Sequence, residues 1–314
     1  MSQATAAQQI SGARINPRSF SGLAIPAALT VALALGLLGA GVMGDAVAAA
    51  LWPHLTSVLG STSTGGSAVL IALLHAAVLV AVVIHARMRG WRLAACLSGA
   101  YWLITWLLVV IEAVLFLGPL LPSGFVAWTA VSQGLVAMTV GPLAVVLLSV
   151  HWPPANESPE HPPLLDKSVT PAAWALRLGG VSLVYIAAYI TAGIFIAFQN
   201  PTLQEFYEVI GMPSTSIMLS VQVGRALLWA GAAALLLLAL DLTRGAAALT
   251  VGVVFSAIMA SLALTPNPFM PAEIRPTHFV EIAASNFVFG FAATWILTRP
   301  SRQSKERAVA PVTQ

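Results

Sequence analysis

The chain has 314 residues, of which 58% are hydrophobic and only 8% charged, with a mean hydropathy of +0.88 and a formal net charge of +3. Soluble domains carry about 25% charged residues. The composition therefore excludes a soluble globular enzyme and a disordered chain, and 14 basic against 11 acidic residues is too small a surplus for a nucleic-acid binder. The single cysteine, Cys96, excludes an intrachain disulfide, and no Cys/His zinc spacing occurs.

Crossing about 30 Å of hydrocarbon takes roughly 20 apolar residues in a helix. Eight runs meet that length: 22–43, 68–86, 93–117, 125–152, 176–198, 215–240, 246–265 and 278–298. They are too long for barrel strands and lack the alternation a barrel needs. The predicted fold is an all-α, polytopic transmembrane helical bundle. The first run is read as an uncleaved anchor, because its apolar core is longer than that of a signal peptide.

Lys and Arg concentrate in cytoplasmic loops. With both termini inside, every second loop is basic: Arg14 and Arg18; Arg87, Arg89 and Arg92; Lys167 and Arg177; Arg244; then Arg299, Arg302, Lys305 and Arg307. Only Arg225 and Arg275 fall elsewhere. The expected topology is N-in and C-in, and the expected location is a bacterial inner membrane.

Residues 1–21 and 299–314 read as cytoplasmic tails. The Pro-rich segment 153–175 reads as a cytoplasmic linker between two membrane halves, 22–152 and 176–298, each of four spans. Their matching loop rhythm admits a parallel repeat of the kind some transporters carry. In the loop 199–214, Asn200 can cap, Pro201 suits the first helical position and Gly211 suits the exit. Leu203, Phe206, Tyr207 and Ile210 share one stripe there, as expected of an amphipathic helix on the membrane surface. A similar short helix is expected from Asp45 to Trp52. Both are interfacial connectors or lids over a pocket. Small-residue stripes at Ala32, Gly36, Ala40 and Gly44, and at Ala248, Gly252, Ser256 and Ala260, predict close helix packing. Gly141-Pro142 is expected to kink the fourth run.

An ionisable group in the hydrocarbon costs about 2.5–3.5 kcal/mol on insertion scales, so each one needs a partner, a wet cavity or a task. Arg225 lies ten residues into the sixth run, roughly 15 Å deep at 1.5 Å per residue. It is either a structural ion pair or an anchor for an anion. Gln222 shares its face, and Glu112 or Glu281 could neutralise it. His278 and Glu281 are spaced i, i+3, with Ser285 on the same stripe and Asn286 adjacent. Such a pair can relay a proton or hold a metal, although a di-iron bundle uses two such motifs and further carboxylates. His75 and Gln133 add polar groups at similar depth. His75 and His85 are ten residues apart and do not share a face, which disfavours a bis-histidine haem site. The methionines Met43, Met212, Met218 and Met270 are scattered singly, which disfavours copper.

Arg225, Gln222, Glu281, His278, Glu112, His75 and Asn286 are thus the candidate binding residues, in an outward-facing polar cavity ringed by spans 2, 3, 4, 6 and 8. The inner half offers little beyond Tyr101, Tyr185 and Tyr189. No catalytic motif, cofactor fingerprint or metal site is legible. The stretch Asn267-Pro268-Phe269-Met270-Pro271, then Arg275, His278, Glu281, Ser285, Asn286, Phe287 and Gly290, resembles a bacterial polytopic membrane-protein group without an assigned activity. Asn200-Pro201, Phe206-Tyr207, Gly224-Arg225 and Leu228-Trp229 are similar to it too. The resemblance covers spans 5–8 and implies an eight-span architecture.

Three functions stand open. One is binding or transport of a small solute or ion. The second is an intramembrane enzyme or metal/redox protein using His278, Glu281 and Glu112. The third is a structural or regulatory subunit of a membrane complex, with a membrane-protein partner or a second copy. The lipid bilayer is the shared partner. A reporter enzyme that works only in the cytoplasm, fused after Pro163, is expected to be active; activity there from a reporter that works only outside would reverse the map.

Overall fold

The structure is a computed structural model, and it describes residues 20–59, 65–149, 159–166, 168–266 and 269–300, with side chains from residue 25 and through 147 in the second stretch. Most of both expected tails, the first part of the 153–175 linker, Lys167, His151, Trp152 and Asn267-Pro268 lie outside the described residues. The described chain forms eight helices long and apolar enough to cross a membrane. They are α1 (Ile25–Leu51), α2 (Gly66–Ile84), α3 (Gly90–Leu120), α4 (Phe125–Leu147), α5 (Pro171–Gln199), α6 (Thr215–Ala239), α7 (Arg244–Leu264) and α8 (Arg275–Leu297). The protein is an all-α, multi-pass membrane protein, and its exposed Leu, Val, Ile and Phe side chains on these helices face the bilayer.

Local sequence sets the helix ends. Thr170 caps α5 by accepting from the Ala173 amide, with Pro171 at the first helical position. Thr243 caps α7 in the same way through Ala246. These hydroxyls satisfy N–H groups that have no partner within the helix. The expected surface helix is present as Pro201–Ile210: Asn200 accepts from the Thr202 amide, and Gly211 ends the helix with φ 78°. Leu203 is fully buried, while Gln204, Glu205 and Glu208 are exposed. The helix expected to start at Asp45 does not exist as a separate element. Asp45 lies inside α1, because no helix breaker stands between it and Pro53, where a short 3-10 turn, Pro53–Leu55, begins.

The helix α4 continues through Pro142. The helix α3 contains one π turn, Leu103–Leu107, between its two α-helical parts. A single π turn accommodates one residue more than an α-helical turn would.

Among the first four spans, α1 packs on α2 and α4, and α3 packs on α4; among the last four, α5 packs on α6 and α8, and α7 packs on α8. The two sets meet where α3 touches α6 and where α2 touches α7. Glycines permit the closest approaches. A Cβ on Gly44 would stand 2.5 Å from the Ser132 carbonyl oxygen of α4, and one on Gly290 would stand 3.0 Å from Gly252 Cα. The expected small-residue stripes of α1 and α7 therefore face α4 and α8.

One face of the bundle carries basic side chains that tie the helix ends together. Ala86 bridges Leu240, and Asp241 accepts from the Glu160 and His161 amides at 2.8 and 3.0 Å. Arg87 lies 4.0 Å from the same carboxylate and donates to the His161 carbonyl at 2.8 Å. Burial alone would raise the Asp241 carboxyl, but those amides and Arg87 outweigh it and hold it below the ordinary range. Arg177 donates to the Leu297 carbonyl, and Arg244 to Thr298. Glu160 and His161 of the Pro-rich segment are thus strapped against the bundle.

Gly141 predicts the cost of violating this packing. Its Cβ would come 2.2 Å from the Ala94 carbonyl oxygen of α3, whereas Gly39 has nothing within 4 Å. Gly141→Ala is expected to destabilise the protein by about 1–3 kcal/mol, the usual cost of overpacking. Gly39→Ala is expected to be neutral or slightly stabilising, as read by thermal unfolding in detergent.

Candidate functional site

Arg225 is almost fully buried, 2% exposed on the side of α6 that faces α3 and α5. Its Nη2 donates to Glu112 Oε2 at 2.7 Å, and its Nη1 donates to Gln222 Oε1 at 3.0 Å. Of the two acids the sequence leaves open, Glu112 is the partner. The guanidinium also lies 5.9 Å from the ring centroid of Tyr185. Its Nε–H, buried, has no acceptor among the described residues. Gln222 Nε2, one turn away on the same helix, is likewise a buried donor without a partner among the described residues.

Arg225, Glu112 and Tyr185 form one wall of a cavity of about 220 Å³. Glu112 opens into it, 32% exposed. The opposite wall comes from α8, where His278 Nδ1 and Glu281 Oε2 meet at 2.7 Å, with Ser285 and Asn286 alongside. Arg275 at the start of α8 also lines it, with a buried Nε–H that has no acceptor. Tyr185 and Tyr189 of α5, Met259 and Leu262 of α7, and Phe206 and Tyr207 of the surface helix complete the enclosure. Below Arg225 an aromatic plug closes the bundle. Trp229 and Phe255 stand 4.4 Å apart between ring centroids, and Tyr185 meets Phe289 edge-on at 5.0 Å.

The surface helix sits over this cavity for legible reasons. Leu203 is buried with Ala197 and Ile274, packing the helix onto the loop before α8. Asn200 donates to Thr277 at 2.8 Å. Tyr207 stacks with Phe198 and meets Phe116 edge-on. Burial, with the charges of Glu112 and Glu281, raises the Tyr207 phenol, so it stays a protonated donor at neutral pH.

Five of the seven candidate residues therefore gather here: Arg225, Glu112, Glu281, His278 and Asn286 line the cavity, while Gln222 is buried behind it on Arg225. Tyr185 and Tyr189, expected far from the polar cluster, belong to it. His75 and Gln133 do not. They line a second cavity of about 190 Å³ together with Asp45, Tyr101 and the end of α7. There His75, 2% exposed, is bonded at both ring nitrogens: Tyr101 Oη lies 2.9 Å from Nδ1, and Ser261 Oγ lies 2.7 Å from Nε2. Ser132 donates to Asp45 at 2.6 Å nearby. The ring of spans 2, 3, 4, 6 and 8 thus resolves into two chambers. One is enclosed by α5–α8 with α3, the other by α1–α4 with α7.

Among the described residues, no three His, Cys, Asp or Glu side chains converge as metal ligands. The His278–Glu281 pair fixes one ring nitrogen and leaves Nε2 available to accept or deliver a proton. No protein-family model, no curated protein and no solved structure matches the chain.

Losing one partner of the Arg225–Glu112 pair leaves a buried, uncompensated charge, which costs about 3–5 kcal/mol where both groups are dry. Glu112 is partly open to the cavity, so the lower end applies. Arg225→Leu and Glu112→Leu are each expected to lower the unfolding temperature in detergent, and the double variant to lie closer to the wild type than either. Additive losses would show that the pair carries no coupling.

Proposed function

We propose that this is an inner-membrane protein that binds a small polar solute or ion in the Arg225–Glu112–Glu281 cavity, opening to the outer face, and that it acts in transport. The observation that carries this reading is the Arg225 guanidinium: it is almost fully buried, lines a cavity, and keeps an N–H with no acceptor among the described residues. A purely structural ion pair would be expected to have its donors satisfied internally, since each unpaired buried donor costs about 1–3 kcal/mol. The basic loops gathered on one face support the N-in, C-in orientation, which puts the cavity and its surface helix outside.

A parallel repeat also supports transport. The contacts of α1–α4 recur in α5–α8, and each cavity is enclosed by one set of four helices plus one helix of the other. Phe125 and Arg275, which open α4 and α8, have the same separation in sequence as His75 and Arg225. Binding sites at the junction of such repeats are a recurrent feature of transporters. A second reading, an intramembrane acid–base enzyme, is favoured by the 2.7 Å His278–Glu281 contact in the same cavity.

The solute reading is tested with single cysteines in a Cys96→Ser background. Ala113→Cys and Ser285→Cys are expected to react in intact cells with a membrane-impermeant maleimide, and Leu97→Cys to stay unreactive. If both cavity positions label only after denaturation, the outward cavity is wrong.

A further inference from the structure

The polar cavity adjoins an apolar chamber of about 730 Å³. Phe116, Phe206, Phe269 and Met270 line both. The apolar chamber runs between the end of α3 and the surface helix, lined also by Leu120, Val209, Ile210 and Pro271. Val209 is 85% exposed and Leu120 is 51% exposed. Both sit at the end of the bundle where membrane-spanning and surface helices meet. An aqueous solute has no use for an apolar vestibule that opens at the level of the bilayer surface. A molecule with a hydrocarbon chain does, because moving its methylene groups out of water into an apolar chamber is favourable.

The head such a molecule must carry follows from the charges on the floor. Arg225 and Arg275 present two cations, and Glu112 and Glu281 present two anions. Both arginines line the cavity and, among the described residues, keep a buried Nε–H without an acceptor, which favours an acceptor-rich anionic group. Glu112 is partly open and uses Oε2 on Arg225, leaving its other oxygen for a donor. A head with one negative and one positive group leaves this balance unchanged. A singly charged head would add an uncompensated charge to a largely buried site.

We propose that the two chambers form one site for a zwitterionic, single-chain amphiphile of the amino-phospholipid class. Its phosphate lies toward Arg225 and Arg275, its ammonium toward Glu112 and Glu281, and its chain lies along Phe116, Phe206, Phe269 and Val209. This rests on the reading of the Arg225 cavity as a ligand site, with the small polar solute replaced by the polar head of an amphiphile.

The test uses the purified full-length protein, delipidated and titrated with lysophosphatidylethanolamine, lysophosphatidylglycerol or glycerophosphoethanolamine, with native mass spectrometry as the readout. One lysophosphatidylethanolamine is expected to be retained, about tenfold more tightly than lysophosphatidylglycerol, the scale of one charge-assisted hydrogen bond. Val209→Glu is expected to weaken both lipids, and Glu281→Gln to erase the preference while leaving chain binding. Glu281 does not pair with Arg225, so this variant spares the central ion pair. Retention of glycerophosphoethanolamine as tight as that of its lipid overturns the chain assignment but keeps a polar-solute site. Equal or stronger retention of lysophosphatidylglycerol overturns the zwitterion assignment. Retention of none of the three overturns the proposal outright. Lipid retention with unreactive Ala113→Cys and Ser285→Cys would overturn only the outward solute reading.

Discussion

A guanidinium placed among hydrocarbon helices sets the terms for everything around it. Arg225 is satisfied in part by Glu112 from α3 and Gln222 from its own helix, and it leans on the Tyr185 ring of α5. Three helices from both sets of four are thereby drawn to one point. The aromatic plug of Trp229, Phe255 and Phe289 then seals the bundle on one side of that point, and the cavity opens on the other. The ion pair therefore fixes both where the two sets of helices meet and where polar groups can be tolerated.

Much of the architecture was legible from hydropathy and helix-end chemistry. Eight apolar runs became eight helices, and Asn200, Pro201 and Gly211 marked the surface helix to the residue. These signals are local, so a single chain displays them. What failed also failed locally. Asp45 looked like an N-cap, but α1 simply runs past the expected membrane boundary and Asp45 serves Ser132 of α4 instead.

The site was half legible. Charged groups in apolar runs announce themselves by their cost, which is why Arg225, Glu112, His278 and Glu281 stood out. Which acid neutralises Arg225 is a tertiary fact, and no spacing along the chain contains it. Tyr185 and Tyr189 gave no signal, because a tyrosine in a membrane span is cheap and common near interfaces. The division into two chambers was also hidden. Depth along a helix can be counted from sequence, but the direction a side chain faces across the bundle depends on every upstream turn.

The π turn in α3 shows how much hangs on that direction. Tyr101 and Glu112 are eleven residues apart, and at 100° per residue an unbroken α-helix would bring them within about 20° of each other. One extra residue absorbed at Leu103–Leu107 retards the phase, so they diverge by about 80°. Tyr101 consequently serves His75 in one chamber while Glu112 serves Arg225 in the other. A single helix thus furnishes two compartments with different chemistry, and the dihedral defect between them is the partition.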